Sequence, residues 1–103
     1  MSSQDITIPG ADGDFGGYLA MPESGSGPGV VVIQEIFGVN EWMRKIADQW
    51  AAAGYVALCP DLFWRIEPGV QINAEGEEAM QQAFGLYGKF DVDNGIKDLG
   101  ATM

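Results

Sequence analysis

One pattern constrains the fold of this chain more than any other: an apolar run, "VVVI", opening a strand at 30–34, a stretch of helical periodicity, and a second apolar run, "YVALC", at 55–59. Such runs, free of polar alternation, are expected of strands buried on both faces. Asn40 can cap the intervening helix, on which Trp42, Met43, Ile46, Ala47, Trp50 and Ala51 recur with helical period. Gly54 supplies a left-handed stop, and Pro60 closes the second strand. Strand, helix and strand within about thirty residues make a βαβ unit, with a right-handed crossover expected. The fold class is α/β.

Ahead of this unit, "QDITIP" (4–9) and "FGGYLAM" (15–21) flank "GADGD", a cluster that favours tight reversal, so a short antiparallel hairpin is predicted. Beyond it, residues 74–88 form a weaker helix candidate with Met80, Ala83, Phe84 and Tyr87 on one face. Gly76 and Gly85 each cost that helix ~1 kcal/mol relative to alanine. Asp91 can cap a last helix, with Val92, Ile96, Leu99 and Met103 stacked along one side. That helix meets no stop signal before the final residue, so the expectation is a single domain, residues 1–103, cut short of its natural end.

Size and charge exclude several functions. A chain of 103 residues, 47% hydrophobic, builds one modest core. Fifteen acidic against five basic residues, a net charge of -10, repel polyphosphate and anionic headgroups, so neither nucleic acid nor a membrane is an expected partner. "MSSQDITIPG" lacks the basic and apolar regions of a secretory signal, and a cytoplasmic location is the default. With one cysteine and no histidine, neither a zinc site of the usual spacing nor a Ser-His-Asp or Cys-His pair can be assembled from these residues.

Glu35 lies where the first apolar strand gives way to its loop, and ligands of open α/β sheets bind outside the carboxyl ends of strands. A solvated rim carboxylate beside a helix N-terminus fits the same position. A domain of this size is stabilised by only ~5–15 kcal/mol, and a buried carboxylate without a partner costs roughly 3–5 kcal/mol. Glu35 is therefore either wet or specifically paired.

The run "VVVIQEIFGVNEWMRKIADQWAAAGYVALCPDLFWR", followed by "EPG", "QQAFGLYGKFD" and "GIKDL", resembles the N-terminal half of the dienelactone hydrolases, the carboxymethylenebutenolidases of the α/β-hydrolase fold. The resemblance extends from the first hairpin to Met103. It implies an esterase that opens an unsaturated cyclic ester without a cofactor, and a fold made of an N-terminal hairpin plus a parallel βαβ unit, truncated before the nucleophile elbow. Glu35 matches the glutamate that contacts the catalytic thiol and takes part in its activation. Ile36 matches the position whose backbone N–H helps to form the oxyanion hole. Phe37 and Tyr87 match aromatic positions that line the substrate pocket, although core packers would look the same in the sequence.

Departures from the family pattern carry equal weight. An arginine and a tyrosine that hold the substrate carboxylate in the family are replaced by Met80 and Phe84, so Phe84 marks the substrate side of the site but anion recognition there is lost. Arg65 either substitutes for that cation or is a solvated loop residue. A less charged ester or lactone is the expected substrate. The family's cysteine elbow, aspartate and histidine would all lie beyond the last helix, and Cys59, in "VALCPDL", reads as an inert core thiol. Asp61 reads as a turn cap. In the fold this sequence resembles, the strand at 30–34 lies between the strand at 55–59 and the nucleophile-bearing strand. Without the latter its free edge predicts a homo-oligomer paired through 30–34. The chain alone is expected to be inactive, and the alternative is a non-catalytic α/β module that oligomerises through that edge.

Overall fold

The computed structural model describes residues 2–73 and 75–103. Strands β1 (Ser2–Ile8), β2 (Phe15–Met21) and β3 (Gly29–Val31) precede helix α1 (Glu41–Ala52), strand β4 (Val56–Pro60) and helices α2 (Glu77–Tyr87) and α3 (Val92–Thr102). They form a mixed sheet in the order β1-β2-β4-β3. The hairpin β1–β2 is antiparallel, with Ser2 opposite Met21 and Ile8 opposite Phe15, while β3 runs parallel to β4. A parallel pair needs a crossover, and α1 supplies it.

Helix α1 begins where Asn40, in extended conformation, accepts from the Met43 N–H at 3.1 Å. It ends as Gly54 takes a φ of +101°, which a residue with a Cβ rarely adopts. Its buried face is Met43, Ala47 and Ala51, packed on Tyr18, Ala20, Ala57 and Cys59 of the sheet. Trp42, 62% exposed, turns outward instead of joining this face, and Trp50 lies edge-on to Tyr55 at 5.1 Å near the surface. The alanines allow helix and sheet backbones to approach closely, which leaves no room for an indole.

Three expectations are corrected. The strand expected over 30–34, buried on both faces, spans only Gly29–Val31, with Val30 and Val31 half-buried and Ile33 57% exposed. It lies at the sheet edge with β4 alone beside it, and its last pairing is the Val32 N–H to the Leu58 carbonyl at 2.9 Å. After that the Gln34 carboxamide accepts from the Leu62 N–H at 2.8 Å and the chain leaves the sheet.

Helix α2 starts at Glu77, later than the expected 74–88; Ala74 lies outside the described residues. Gly76 precedes it at φ +110° with no side-chain cap. Its buried face is Ala79, Ala83 and Leu86, set on Phe63, Val70 and Ile72, whereas Met80, Phe84 and Tyr87 of the expected face are exposed. Close packing on a loop favours the smallest side chains, so the large apolar residues point away.

Helix α3 is capped as expected, Asp91 accepting from the Asp93 and Asn94 N–H groups. Its inward residues are Gly95 and Asp98, while Val92, Ile96 and Met103 of the expected face are more than half exposed. Polar anchoring outweighs the apolar stripe here. The Asp98 carboxylate, 2% exposed, accepts from Trp64 Nε1 at 2.9 Å and from Arg65 Nε and Nη2 at 3.1 and 2.9 Å. No helix among the described residues is long and apolar enough to cross a membrane.

Candidate active site

The segment between β3 and α1 is built from hydrogen bonds to its neighbours rather than from regular structure. Gln34 holds the Leu62 N–H through its oxygen and donates through Nε2 to the Glu35 carbonyl at 3.2 Å. Glu35 to Gly38 is a tight turn closed by the Gly38 N–H to the Glu35 carbonyl at 3.3 Å. Gly38 sits at φ +76°, and a Cβ on it would collide with the Val70 carbonyl oxygen. The Phe37 carbonyl accepts from the Ile72 N–H at 2.9 Å.

Within this frame the Ile36 N–H makes no hydrogen bond among the described residues. Nor does the Glu35 side chain, which is exposed and enters no ion pair there. Of the two states open to Glu35, the structure has the wet one. Glu35 and Ile36 border a concavity of about 160 Å³ whose other walls are Ile33, Gln34, Leu62, Phe63, Tyr87 and Phe90. Its surface is mainly apolar, with Glu35 among its lining residues, a composition suited to a small ligand held by few polar groups.

The site residues read from the sequence divide between places. Glu35, Ile36 and Tyr87 meet at this concavity. Phe37 packs against the second core cluster and lines a different hollow, of about 320 Å³, with Asn40, Ile72 and Met80. Phe84 is 57% exposed and lines neither hollow. A third hollow, about 310 Å³, lies beside Arg44 and Asp61. These two hollows are not lined by Glu35 or Ile36, so chemistry and not volume singles out the first concavity. Phe63 and Phe90 could not be recognised as walls from sequence, since their ring contact at 5.9 Å joins segments distant in the chain.

Cys59, Asp61 and Arg65 are each occupied elsewhere. Cys59 is fully buried, and burial pushes its thiol up to about 12, so it stays protonated at neutral pH. Asp61, 6% exposed, accepts from the Phe63 and Gly69 N–H groups; burial raises its pKa and these two bonds oppose the rise. It caps a turn, as its sequence context predicts. Arg65 keeps some solvent contact but is not available: Asp98 and Asp12 take its donors, its guanidinium stacks over the Trp64 ring at 4.9 Å, and its partners hold it charged far above the working range. No group of three or more potential metal ligands occurs among the described residues.

Comparison with known proteins places this geometry. The Dienelactone hydrolase family profile matches residues 15–103. A provisionally named carboxymethylenebutenolidase of Azospirillum brasilense is 55% identical over 91 residues, covering 86% of this chain and 39% of that protein. The carboxymethylenebutenolidase of Pseudomonas sp. (strain P51) is 42% identical over 91 residues, covering 88% and 38%. A crystal structure of a provisionally named dienelactone hydrolase from Klebsiella pneumoniae superposes with a TM-score of 0.79 at 27% identity, over 98% of this chain and 41% of that one. The chain thus spans about two fifths of the length of the proteins it matches. The hairpin, the parallel β3–β4 pair and the α1 crossover are part of an α/β-hydrolase fold, and the chain belongs to the dienelactone hydrolase family.

Proposed function

We propose that this chain forms the N-terminal portion of an ester or lactone hydrolase whose attacking thiol is supplied by residues outside these 103. In that reading the Glu35 carboxylate takes up the proton of the incoming thiol as substrate binds. The sulfur then adds to the ester carbonyl, and the Ile36 N–H donates to the oxygen as it becomes negative. The alcohol or enol leaves, and water completes hydrolysis of the thioester.

The observation that carries this reading is that a solvated acidic residue, Glu35, and an amide without a partner among the described residues, that of Ile36, adjoin one apolar concavity at a strand end. Buried or half-buried N–H groups are rarely left without a partner, and an unused donor in a concavity is suited to a transient oxyanion. Cys59 is no candidate for the nucleophile, being enclosed and protonated. The mainly apolar lining of the concavity supports a neutral ester or lactone, and Arg65, committed to Asp98 and Asp12, is not free to hold a substrate anion.

The test is Glu35→Ala in the polypeptide that carries this segment together with a thiol nucleophile, assayed on 4-nitrophenyl acetate. The expected result is a fall in kcat/KM of roughly 10²-fold or more, the scale of general acid–base assistance. Unchanged kcat/KM would leave Glu35 as a rim charge and overturn the reading. The 103-residue chain by itself should show no iodoacetamide-sensitive turnover.

A second reading is favoured by one observation, the free edge of β3 beside exposed Ile33. In it the chain is a non-catalytic module that pairs with a second copy through that edge. The Glu35→Ala assay separates the two.

A further inference from the structure

Asn40 has a task that helix capping alone does not explain. Its Oδ1 accepts from the Met43 N–H, as any good cap would, but its Nδ2 donates to the Ile72 carbonyl at 3.0 Å, across to a separate segment. The orientation of the carboxamide follows from its neighbours, since an N–H requires the oxygen and a carbonyl requires the NH2. Ile72 in turn gives its own N–H to the Phe37 carbonyl. Asn73 Oδ1 accepts from the Glu41 N–H at 2.7 Å, and Arg44 Nε donates to the Val39 carbonyl at 3.1 Å. At the other end of the same stretch, Gln34 ties the Leu62 N–H to the Glu35 carbonyl.

The stretch from Gln34 to Asn40 is therefore held by a carboxamide at each end, and the Ile36 N–H is left unbonded between them. We propose that Asn40 is a positioning residue: through Ile72 it fixes the Glu35–Gly38 turn and so aims the Ile36 amide, with Gln34 anchoring the opposite end. This inference rests on the reading of Ile36 as a donor to developing negative charge. Geometry gives it consequence, because an oxyanion donor works only when it is fixed before the charge appears. Displacement of a reacting group by about 1 Å costs on the order of 10²-fold in rate.

Asn40→Asp is the discriminating variant. Aspartate caps a helix as well as asparagine does, so the Met43 bond survives, but a carboxylate cannot donate to the Ile72 carbonyl. Two measurements are made. Backbone 15N relaxation of the 103-residue chain should show residues 35–38 rigid in the wild type and loosened in Asn40→Asp, with the first turn of α1 unchanged. In the thiol-bearing polypeptide, kcat on 4-nitrophenyl acetate should fall roughly tenfold to a hundredfold with KM nearly constant. Asn40→Ser, which caps but is too short to reach Ile72, should reproduce both effects. A turn that stays rigid in Asn40→Asp overturns the inference and leaves the Glu35 result untouched. A turn that loosens while kcat is kept overturns it by removing the role of the Ile36 amide itself.

Discussion

The indole N–H of Trp64 and the carboxylate of Asp98 meet at 2.9 Å, in a place where Asp98 is almost wholly enclosed, and this contact joins the loop after β4 to the last helix. Arg65 adds two further bonds to the same carboxylate. Removing the acid leaves an indole donor without an acceptor and a cation with only Asp12 to face. Asp98→Ala is expected to cost about 2–3 kcal/mol, at or below the low end for breaking a buried pair because Arg65 keeps some solvent contact. The midpoint of urea unfolding measures it.

Cys59 sets an alkaline limit on stability. Its thiol is pushed from 9.0 to about 12 in the folded chain by burial, so the unfolded state loses its proton first as pH rises. The sign follows from linkage: this contribution is intact below pH 9 and is lost progressively between pH 9 and about 12. Stability should fall by about 1.4 kcal/mol per pH unit across that window. Urea titrations of wild type and Cys59→Ala from pH 8 to 10.5 isolate the cysteine's share, which should vanish in the variant.

Gly38 and Gly25 offer a matched pair. Both have positive φ, +76° and +81°, but a Cβ at Gly25 meets nothing whereas one at Gly38 meets the Val70 carbonyl. Gly25→Ala should cost only the backbone strain, about 1 kcal/mol. Gly38→Ala adds the collision and should cost at least about 3 kcal/mol. Thermal unfolding of the two variants in parallel gives the difference.

The isolated 103-residue chain should pair through the open edge of β3, where Ile33 is exposed and β4 occupies only one side. Light scattering at micromolar concentration is expected to report a dimer. Ile33→Lys, a charge of the kind that blunts natural sheet edges, should return the chain to a monomer. A well-folded wild-type monomer would remove the case for self-association.

Features set by local chemistry were legible in the sequence, and features set by distant partners were not. The caps at Asn40 and Asp91, the Asp61 turn and the left-handed Gly54 all depend on residues a few positions away, and each stands where its side chain or backbone freedom implies. The packing faces of α2 and α3 were read wrongly for a common reason. Periodicity marks large apolar residues, yet the buried faces are made of alanine, leucine, glycine and an aspartate. Nothing local distinguishes Asp98 from the other acids of this acidic chain; only Trp64 and Arg65, 34 and 33 residues earlier, give it a reason to be inside. At the candidate site the sequence marked Glu35 and Ile36, but the free amide and the two carboxamide anchors appear only when the turn is seen against residues 62 and 70–73.

At the tip of the first hairpin, Asp12 divides its carboxylate between Arg65 and Lys97, 53 and 85 residues further on. Strands β1 and β2 pair with each other across a short turn, but the partners that fasten its tip come from the loop after β4 and from α3. The side-chain ties at the tip of this local hairpin therefore close two of the longest loops in the chain, so the most local pair of strands is fastened by some of its least local contacts.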